Sequence, residues 1–124
     1  MAASTYRILL FMKRRPGLSV EAFRDYYETR HVPLCLKYLS GVTRYVRRYV
    51  DPLPHPETGA GDDLGFDVIT ELWFEDRSVY EGTVAHLTST VMPEELIADE
   101  KHLFDRSSFR IATVEECETS AGEY

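Results

Sequence analysis

The sequence contains little cysteine, and its cysteines show no metal-binding pattern. Cys35 and Cys117 are the two cysteines; they stand far apart, and no Cys-x-x-Cys pair is present. No two histidines stand four residues apart, and the His-Glu-x-x-His motif is missing. Neither cysteine has an evident basic partner, so we expect small reduced side chains rather than nucleophiles. The sequence thus predicts no metal site and a cytoplasmic protein.

The sequence also has no long hydrophobic run and no excess of basic residues. The apolar run from Tyr6 to Met12 is far too short to cross a bilayer, and the basic cluster follows it, the reverse of a secretory signal. Fourteen basic residues stand against 21 acidic ones, a net charge of -7. Such a surface repels the phosphates of nucleic acids and of anionic lipids. We therefore expect neither nucleic-acid nor membrane binding.

Aromatic residues are abundant instead, with eight tyrosines and six phenylalanines among 124 residues. Such residues build cores, interfaces and the linings of pockets for flat ligands, and composition does not choose among these uses. The length predicts one domain over residues 1–124. Residues 115–124 are acidic and small, and we expect a frayed tail there.

Runs of β-branched, aromatic and aliphatic residues predict four strands, at residues 6–13, 42–50, 66–74 and 108–114. Helical patterns cover residues 20–31, 76–87 and 93–104. A segment with three prolines and three glycines, residues 51–65, predicts a loop.

Residues 13–34, KRRPGLSVEAFRDYYETRHVPL, carry the most specific local pattern. Pro16 and Gly17 predict a turn, and Ser19 is a typical N-cap for the helix that follows. One face of this helix carries Val20, Phe23, Tyr27 and His31. Because a proline disfavours helical geometry in the residue before it, Pro33 predicts a break or kink just after His31.

The order strand, helix, strand, strand, helix, strand is typical of an α+β fold. It is the ferredoxin-like βαββαβ pattern, with an antiparallel four-stranded sheet and helices on one face. The other face is left open and carries apolar and aromatic residues. Because such a face is costly to leave in water, we expect a homodimer packed sheet to sheet.

His31 is the best single candidate for a general acid or base. A histidine exchanges protons near neutral pH, and a helix C-terminus would favour its cation. The alternative is a histidine that caps the helix by hydrogen bonding to the last carbonyl groups.

Glu71 lies within an apolar strand, where partial burial would raise the pKa of its carboxyl toward the range suited to proton transfer. Ile69 and Trp73 flank it on its own face. The alternative is an ion pair with one of three arginines of residues 42–50, which are Arg44, Arg47 and Arg48.

Tyr45, Arg47 and Tyr49 share one face of the second predicted strand. Tyr45 could donate a hydrogen bond to a developing oxyanion, and Arg47 could pair with a substrate carboxylate. The alternative is a solvated strand face. His55, in the loop, could close over a ligand or simply be exposed.

The chain resembles the EthD-type group of the dimeric α/β-barrel superfamily. Four pieces carry the resemblance: the first strand with KRRPGLSVEAFRDYYETRHVPL, VTRYVRRY, FDVITELWF and LFDRSSFRI. The family includes methylmuconolactone methylisomerase, polyketide cyclases, and dehydratases or decarboxylases of aromatic polyketide acids. Such relatives generally use no cofactor and keep a pocket between sheet and helices in each protomer.

The resemblance to the methylisomerase implies roles for particular residues. Its catalytic histidine matches His31 and its active-site tyrosine matches Tyr45, while a loop histidine falls near His55. Its third-strand cysteine is replaced here by Glu71, allowing one residue of slip, and this departure separates the chain from the identical reaction.

We therefore predict His31, Tyr45 and Glu71 as catalytic residues. We predict substrate contacts for five further side chains, which are Tyr27, Arg47, Tyr49, His55 and Trp73.

The leading hypothesis is a cofactor-independent enzyme that moves protons on a small aromatic or polyketide-like molecule. The reaction would be a cyclisation, dehydration, isomerisation or decarboxylation. One alternative is a non-catalytic EthD protein that binds a small molecule and supports an oxidative degradation system, with His31 bonded only to backbone. Another is a cofactor-free or haem-dependent oxidative enzyme of the same superfamily.

Overall fold

The computed structural model describes residues 5–61 and 63–122, and within them four antiparallel strands form one sheet. The strands are β1 (Tyr6–Arg14), β2 (Arg44–Tyr49), β3 (Val68–Phe74) and β4 (Phe104–Thr113). Their order in the sheet is β2-β3-β1-β4, and each neighbouring pair is antiparallel. This order confirms the predicted ferredoxin-like α+β fold. The last two residues of the predicted tail lie outside the described residues.

Helical segments cover the three predicted regions, but the first region is divided into several segments and continues beyond His31. They comprise α1 (Val20–Tyr26), a π-helical turn (Tyr27–His31), α2 (Val32–Cys35), a 3₁₀ turn (Leu36–Tyr38), α3 (Arg77–Ser89) and α4 (Glu94–Leu103). Ser19 caps α1 as predicted, its side chain accepting a hydrogen bond from the backbone of Ala22. In the described part of the chain, no helix combines the length and apolarity needed to cross a membrane.

Of the break or kink predicted just after His31, the break does not occur. His31 and Val32 both keep right-handed helical backbone angles, and the chain continues into α2 through Pro33. The N–H of Val32 bonds to the carbonyl oxygen of Tyr27, five residues back. This wider turn makes room for the proline ring, which lacks an N–H and would press on the preceding turn of a regular α-helix. His31 therefore lies inside a continuous helical stretch rather than at its end.

The last strand begins at Phe104, earlier than the predicted residue 108. Helix α4 leads directly into it, and Phe104 and Asp105 pair with Arg14 and Lys13 of β1. A register shift in β1 follows, and the N–H of Lys13 bonds to the Oγ of Ser108. The polar residues from Asp105 onwards give no β signal in the sequence, so the pairing with β1 alone makes them a strand.

Alternation of side chains gives the sheet two different faces. The core lies between one face and the helices, and it contains Ile8, Met12, Phe23, Val68, Leu72, Phe74, Leu96 and Leu103. The opposite face, which we call the open face, carries half-buried Leu9, Phe11, Val46, Ile69 and Trp73, together with Glu71. The helices lie on the first face, so a site between sheet and helix is built from that face alone.

Gly41 fixes how the turn before β2 packs on α3. Its φ of +83° belongs to the left-handed region, and an added Cβ would lie 2.6 Å from Cγ1 of Val79. Valine is stiff in a helix because it has one strongly preferred rotamer there, so Val79 cannot move aside cheaply. Gly17 has a similar φ of +84°, but an added Cβ would meet nothing within 4 Å.

We expect Gly41→Ala to destabilise the protein more than Gly17→Ala. Backbone strain should cost about 1–2 kcal/mol in both variants. The clash with Val79 should add about 1–3 kcal/mol to Gly41→Ala. Urea unfolding of the two variants and the parent measures this difference. Equal losses would contradict the packing of α3 on this turn.

Candidate functional site

A cavity of about 420 Å³ lies between the sheet and the helices. This volume is within the range of small-molecule sites, about 300–1,000 Å³. Most of its lining is apolar, and the polar groups that reach it include Tyr27, His31, Cys35, Tyr45, Thr70 and Glu100. Tyr38 and Val91 also line it and are 43% and 82% exposed, so the cavity opens beside the 3₁₀ turn and the connection from α3 to α4.

His31 lies in the wall of this cavity and is 4% exposed. Its ring packs edge-on against Tyr27 and Phe104, with centroids 5.1 and 5.5 Å away. Its Nδ1 lies 2.8 Å from Oδ2 of Asp99 in α4. Because both nitrogens contact side chains, His31 is not the carbonyl-capping residue that the alternative interpretation expects.

Asp99 determines how the His31 ring is used. Its Oδ1 accepts a hydrogen bond of 2.7 Å from the hydroxyl of Tyr26, which leaves Oδ2 for His31. A carboxylate only accepts, so the proton of the neutral imidazole is on Nδ1 and Nε2 keeps a free electron pair. His31 is therefore prepared to act as a base through Nε2.

Cys35 occupies the space beside that electron pair. Its Sγ lies 3.2 Å from Nε2 of His31, one helical turn earlier in the chain. Burial raises the pKa of the Cys35 thiol to about 12, so the thiol keeps its proton. Its S–H therefore donates a hydrogen bond to Nε2 of His31. The expectation that neither cysteine has a basic partner is wrong for Cys35. His31 and Cys35 are four residues apart in the sequence. Because the π-helical turn keeps His31 in the helix, the two side chains lie on one helix face.

Tyr45 extends from β2 into the cavity, as the sequence predicts. Its hydroxyl interacts with the hydroxyl of Tyr27 and the thiol of Cys35, and burial raises the pKa of Tyr45 strongly. The Tyr27 hydroxyl shares a hydrogen bond with Oγ1 of Thr70, and burial raises its pKa too. Both tyrosines therefore stay neutral and can donate hydrogen bonds.

Glu71 is not part of this group. It is 6% exposed on the open face, while its neighbours Thr70 and Leu72 line the cavity. Its carboxylate is held by Nε of Arg48 and by the indole N–H of Trp73, the latter at 3.2 Å. The structure thus corrects the expected catalytic trio, because adjacent strand residues point to opposite faces and Glu71 cannot reach His31. Glu71 instead forms the ion pair across strands that the alternative interpretation expects, and its partner is Arg48.

The predicted substrate contacts divide in the same way. Tyr27 lines the cavity, whereas Trp73 lies on the open face between the guanidinium groups of Arg7 and Arg44. His55 lies in an exposed loop, and its Nδ1 accepts two backbone N–H groups of that loop.

Arg47 and Tyr49 share the helix face of β2 with Tyr45 but do not line the cavity. Both bond to the carboxylate of Glu28 in the π-helical turn, with Arg47 at 2.6 and 3.0 Å. They fasten that turn to the sheet, so the structure gives Arg47 a partner other than a substrate carboxylate.

Sequence analysis missed Asp99 and Glu100, the two acids that α4 brings to the site. Glu100 is 8% exposed, and burial raises the pKa of its carboxyl against the opposing effect of Arg106 and His31. One signal was available, since Glu100 interrupts an apolar helical stripe between Leu96 and Leu103. Nothing in the sequence connects Asp99 with His31.

The fold and the site define a ferredoxin-like α+β protein with a buried histidine in an apolar cavity. The chain belongs to the EthD domain family, whose model matches residues 15–107. No curated protein matches the chain by sequence.

Two solved structures are similar in fold. One is an ethyl tert-butyl ether D (EthD) family protein from Bacillus halodurans C-125, with 18% identity, a TM-score of 0.52, and coverage of 90% of this chain and 99% of the other. The second is an EthD-like protein from Ralstonia eutropha JMP134, with 17% identity, a TM-score of 0.52, and coverage of 91% and 88%. At these identities the likeness concerns the fold.

We expect Glu100→Gln to stabilise the protein at neutral pH by about 1 kcal/mol, since a desolvated charge is removed. The raised pKa means that the folded state binds more protons than the unfolded state from about pH 4.5 upward, so the parent loses stability as pH rises through this window. The Glu100→Gln variant should lose less stability than the parent over the same pH range. Urea unfolding at several pH values measures this difference.

Glu94→Gln, an exposed change in the first turn of the same helix, is the matched control and should shift stability by at most about 0.5 kcal/mol. A parent whose stability rises over that window relative to Glu100→Gln would contradict the desolvated carboxyl.

Proposed function

We propose that the protein is a cofactor-independent enzyme that moves protons on a flat, oxygenated organic molecule bound in the cavity. The observation that carries this proposal is the buried pair of His31 and Asp99, joined at 2.8 Å beside a largely apolar space. An apolar space of this kind suits an aromatic or polyketide-like substrate. The reaction class is that of a cyclisation, dehydration, isomerisation or decarboxylation.

His31 is the general base in this proposal. Asp99 holds its ring in the Nδ1–H tautomer and stabilises the imidazolium that forms when Nε2 takes a proton. Taking a proton from carbon next to a carbonyl leaves an enolate, and the same imidazolium can return the proton to another carbon. A base placed in this way contributes about 10²- to 10⁴-fold to a rate.

Tyr45 is the hydrogen-bond donor to the enolate oxygen. Its hydroxyl is buried in the cavity, and its raised pKa keeps the phenol neutral, so the proton remains available for donation. A donor fixed in a site of low polarity stabilises developing negative charge better than water does. Tyr27, bonded to Thr70, orients Tyr45 from behind.

The rival function is a non-catalytic EthD protein that binds a small molecule in the same cavity. That interpretation expects His31 to bond only to backbone groups. Its two ring nitrogens instead contact the side chains of Asp99 and Cys35, which supports a chemical role.

We expect His31→Asn to slow proton exchange in a cavity ligand. The probe is 2-tetralone, a flat aromatic ketone with acidic protons next to its carbonyl group. In D₂O, the parent should exchange them about 100-fold faster than His31→Asn, because the variant keeps a polar side chain but loses the base. Proton NMR measures the exchange.

The control is His55→Asn, which changes an exposed histidine of the loop and should exchange at the parental rate. Equal rates in the parent and His31→Asn would contradict a catalytic His31. Binding of the ketone without accelerated exchange in any variant would support the non-catalytic rival.

We also propose that two copies pack through their open faces. These faces carry half-buried Leu9, Phe11, Ile69 and Trp73, and Phe11 already packs edge-on against Phe66 at 5.3 Å. Joining two such faces removes apolar surface from water, which stabilises by about 25 cal/mol per Å². A two-fold arrangement is the commonest way for identical faces to meet.

We expect Ile69→Lys to shift the protein from dimer to monomer, because the pair would bury two added charges. Light scattering at micromolar concentration measures the mass. Leu53→Lys, at an 83% exposed loop position, is the control and should leave the mass unchanged. A parent that is monomeric under these conditions would contradict the proposal.

A further inference from the structure

Asp99, His31 and Cys35 form a continuous line of contacting side chains, of which His31 and Cys35 line the cavity. Asp99 Oδ2 lies 2.8 Å from His31 Nδ1, and Cys35 Sγ lies 3.2 Å from His31 Nε2. The thiol also lines the cavity itself, so a bound molecule can meet the sulfur directly. A thiol, a base and an acid that orients the base are the parts of an activated nucleophile.

The surroundings of Cys35 determine how it can be activated. Burial holds the thiol neutral, and the charges of Glu100 and Asp99 act further against a thiolate, while the Tyr45 hydroxyl favours one. A permanent thiolate is therefore disfavoured, and the proton must leave as the sulfur attacks. His31 Nε2 is in contact with the thiol and free to take that proton.

We propose that Cys35 is a nucleophile that adds to the β-carbon of an α,β-unsaturated ketone held in the cavity. The proposal rests on the proposed function, because it uses His31 as the base. Sulfur forms a bond to the β-carbon, the carbon–carbon π bond breaks, and its electron pair becomes an enolate. The thiol proton passes to Nε2 of His31 and then to the α-carbon. The product is a saturated thioether ketone, and the reverse step restores the thiol and the alkene.

An unsaturated ketone fits this site better than an ester. The step needs neither a leaving group nor water, and the lining of the cavity is mainly apolar. The addition develops negative charge on one oxygen of the ketone. The Tyr45 hydroxyl lies beside Cys35 and can donate a hydrogen bond to that oxygen. Reversible addition would also convert a fixed double bond into a rotatable single bond, which links the thiol to isomerisation of the substrate.

The experiment uses phenyl vinyl ketone as the probe and Cys117→Ser as the starting protein, which leaves Cys35 as the single thiol. Intact mass should show one ketone added, and peptide mapping should place it on Cys35. The double variant Cys35→Ser, Cys117→Ser should gain none. Adding His31→Asn to Cys117→Ser should slow the addition at least about 100-fold at neutral pH. Circular dichroism checks that each variant is folded.

The pH profile of the starting protein gives a second readout that needs no change at His31. A thiolate formed without help would react about tenfold faster with each pH unit up to the raised pKa of about 12. If His31 takes the proton, the rate should not keep rising tenfold with each pH unit. Propiophenone, the saturated analogue, should compete for the cavity and slow the addition.

A continuous tenfold rise per pH unit, or addition that His31→Asn leaves unchanged, would overturn this inference. The proposed function is judged separately. If the addition fails these tests while Cys117→Ser exchanges the protons of 2-tetralone faster than the variant that also carries His31→Asn, the proposed function stands and the nucleophile is rejected. If His31 promotes the addition but not the exchange, the nucleophile stands and the proposed proton-transfer function fails.

Discussion

The hydrogen bond between His31 and Asp99 is the contact on which the site depends. It joins the π-helical turn to α4 at 2.8 Å, across residues that are 68 positions apart in the sequence. A buried imidazole without a partner would cost about 1–3 kcal/mol, so the pairing makes its burial tolerable. The Tyr26 hydroxyl occupies the other oxygen of Asp99, and this fixes the carboxylate before any ligand is present. The tautomer of His31, and with it the direction in which a proton can move, follows from this one pair.

The π-helical turn provides the second condition, because it decides where the ring of His31 lies. In a regular α-helix, Pro33 would remove a backbone hydrogen bond and its ring would press on the preceding turn, which would kink or break the helix near His31. The widened turn accepts the proline and carries the helix on to Cys35. Arg47 and Tyr49 hold the turn against the sheet through Glu28. The ion pair between Arg47 and Glu28 thus helps to hold the irregular π-helical turn in place.

The sheet keeps its two kinds of polar chemistry apart. On the helix face, neutral groups with raised pKa values meet in the cavity, including the hydroxyls of Tyr27 and Tyr45. On the open face, Glu71 forms ion pairs with Arg48 and Arg7 and accepts a hydrogen bond from the indole N–H of Trp73. Its place on the other face leaves Glu71 to stabilise the packing of β1, β2 and β3.

The sequence by itself determined the α+β class, the strand number and the helix face that carries His31, because these depend on local periodicity and capping. Alternation along β2 groups Tyr45 with Arg47 and Tyr49, but of these three residues Tyr45 alone lines the cavity, which local pattern does not reveal. Local patterns did not reveal the start of β4, because the polar residues after Phe104 become a strand only by pairing with β1.

The tertiary structure alone decided which face of β3 meets the helices, and this removed Glu71 from the site. It also decided that Asp99 meets Nδ1 of His31. Contacts between helix and helix depend on how both pack on the sheet, and a periodic pattern in one segment contains no information about its partner. The chemistry of the site arises from that packing.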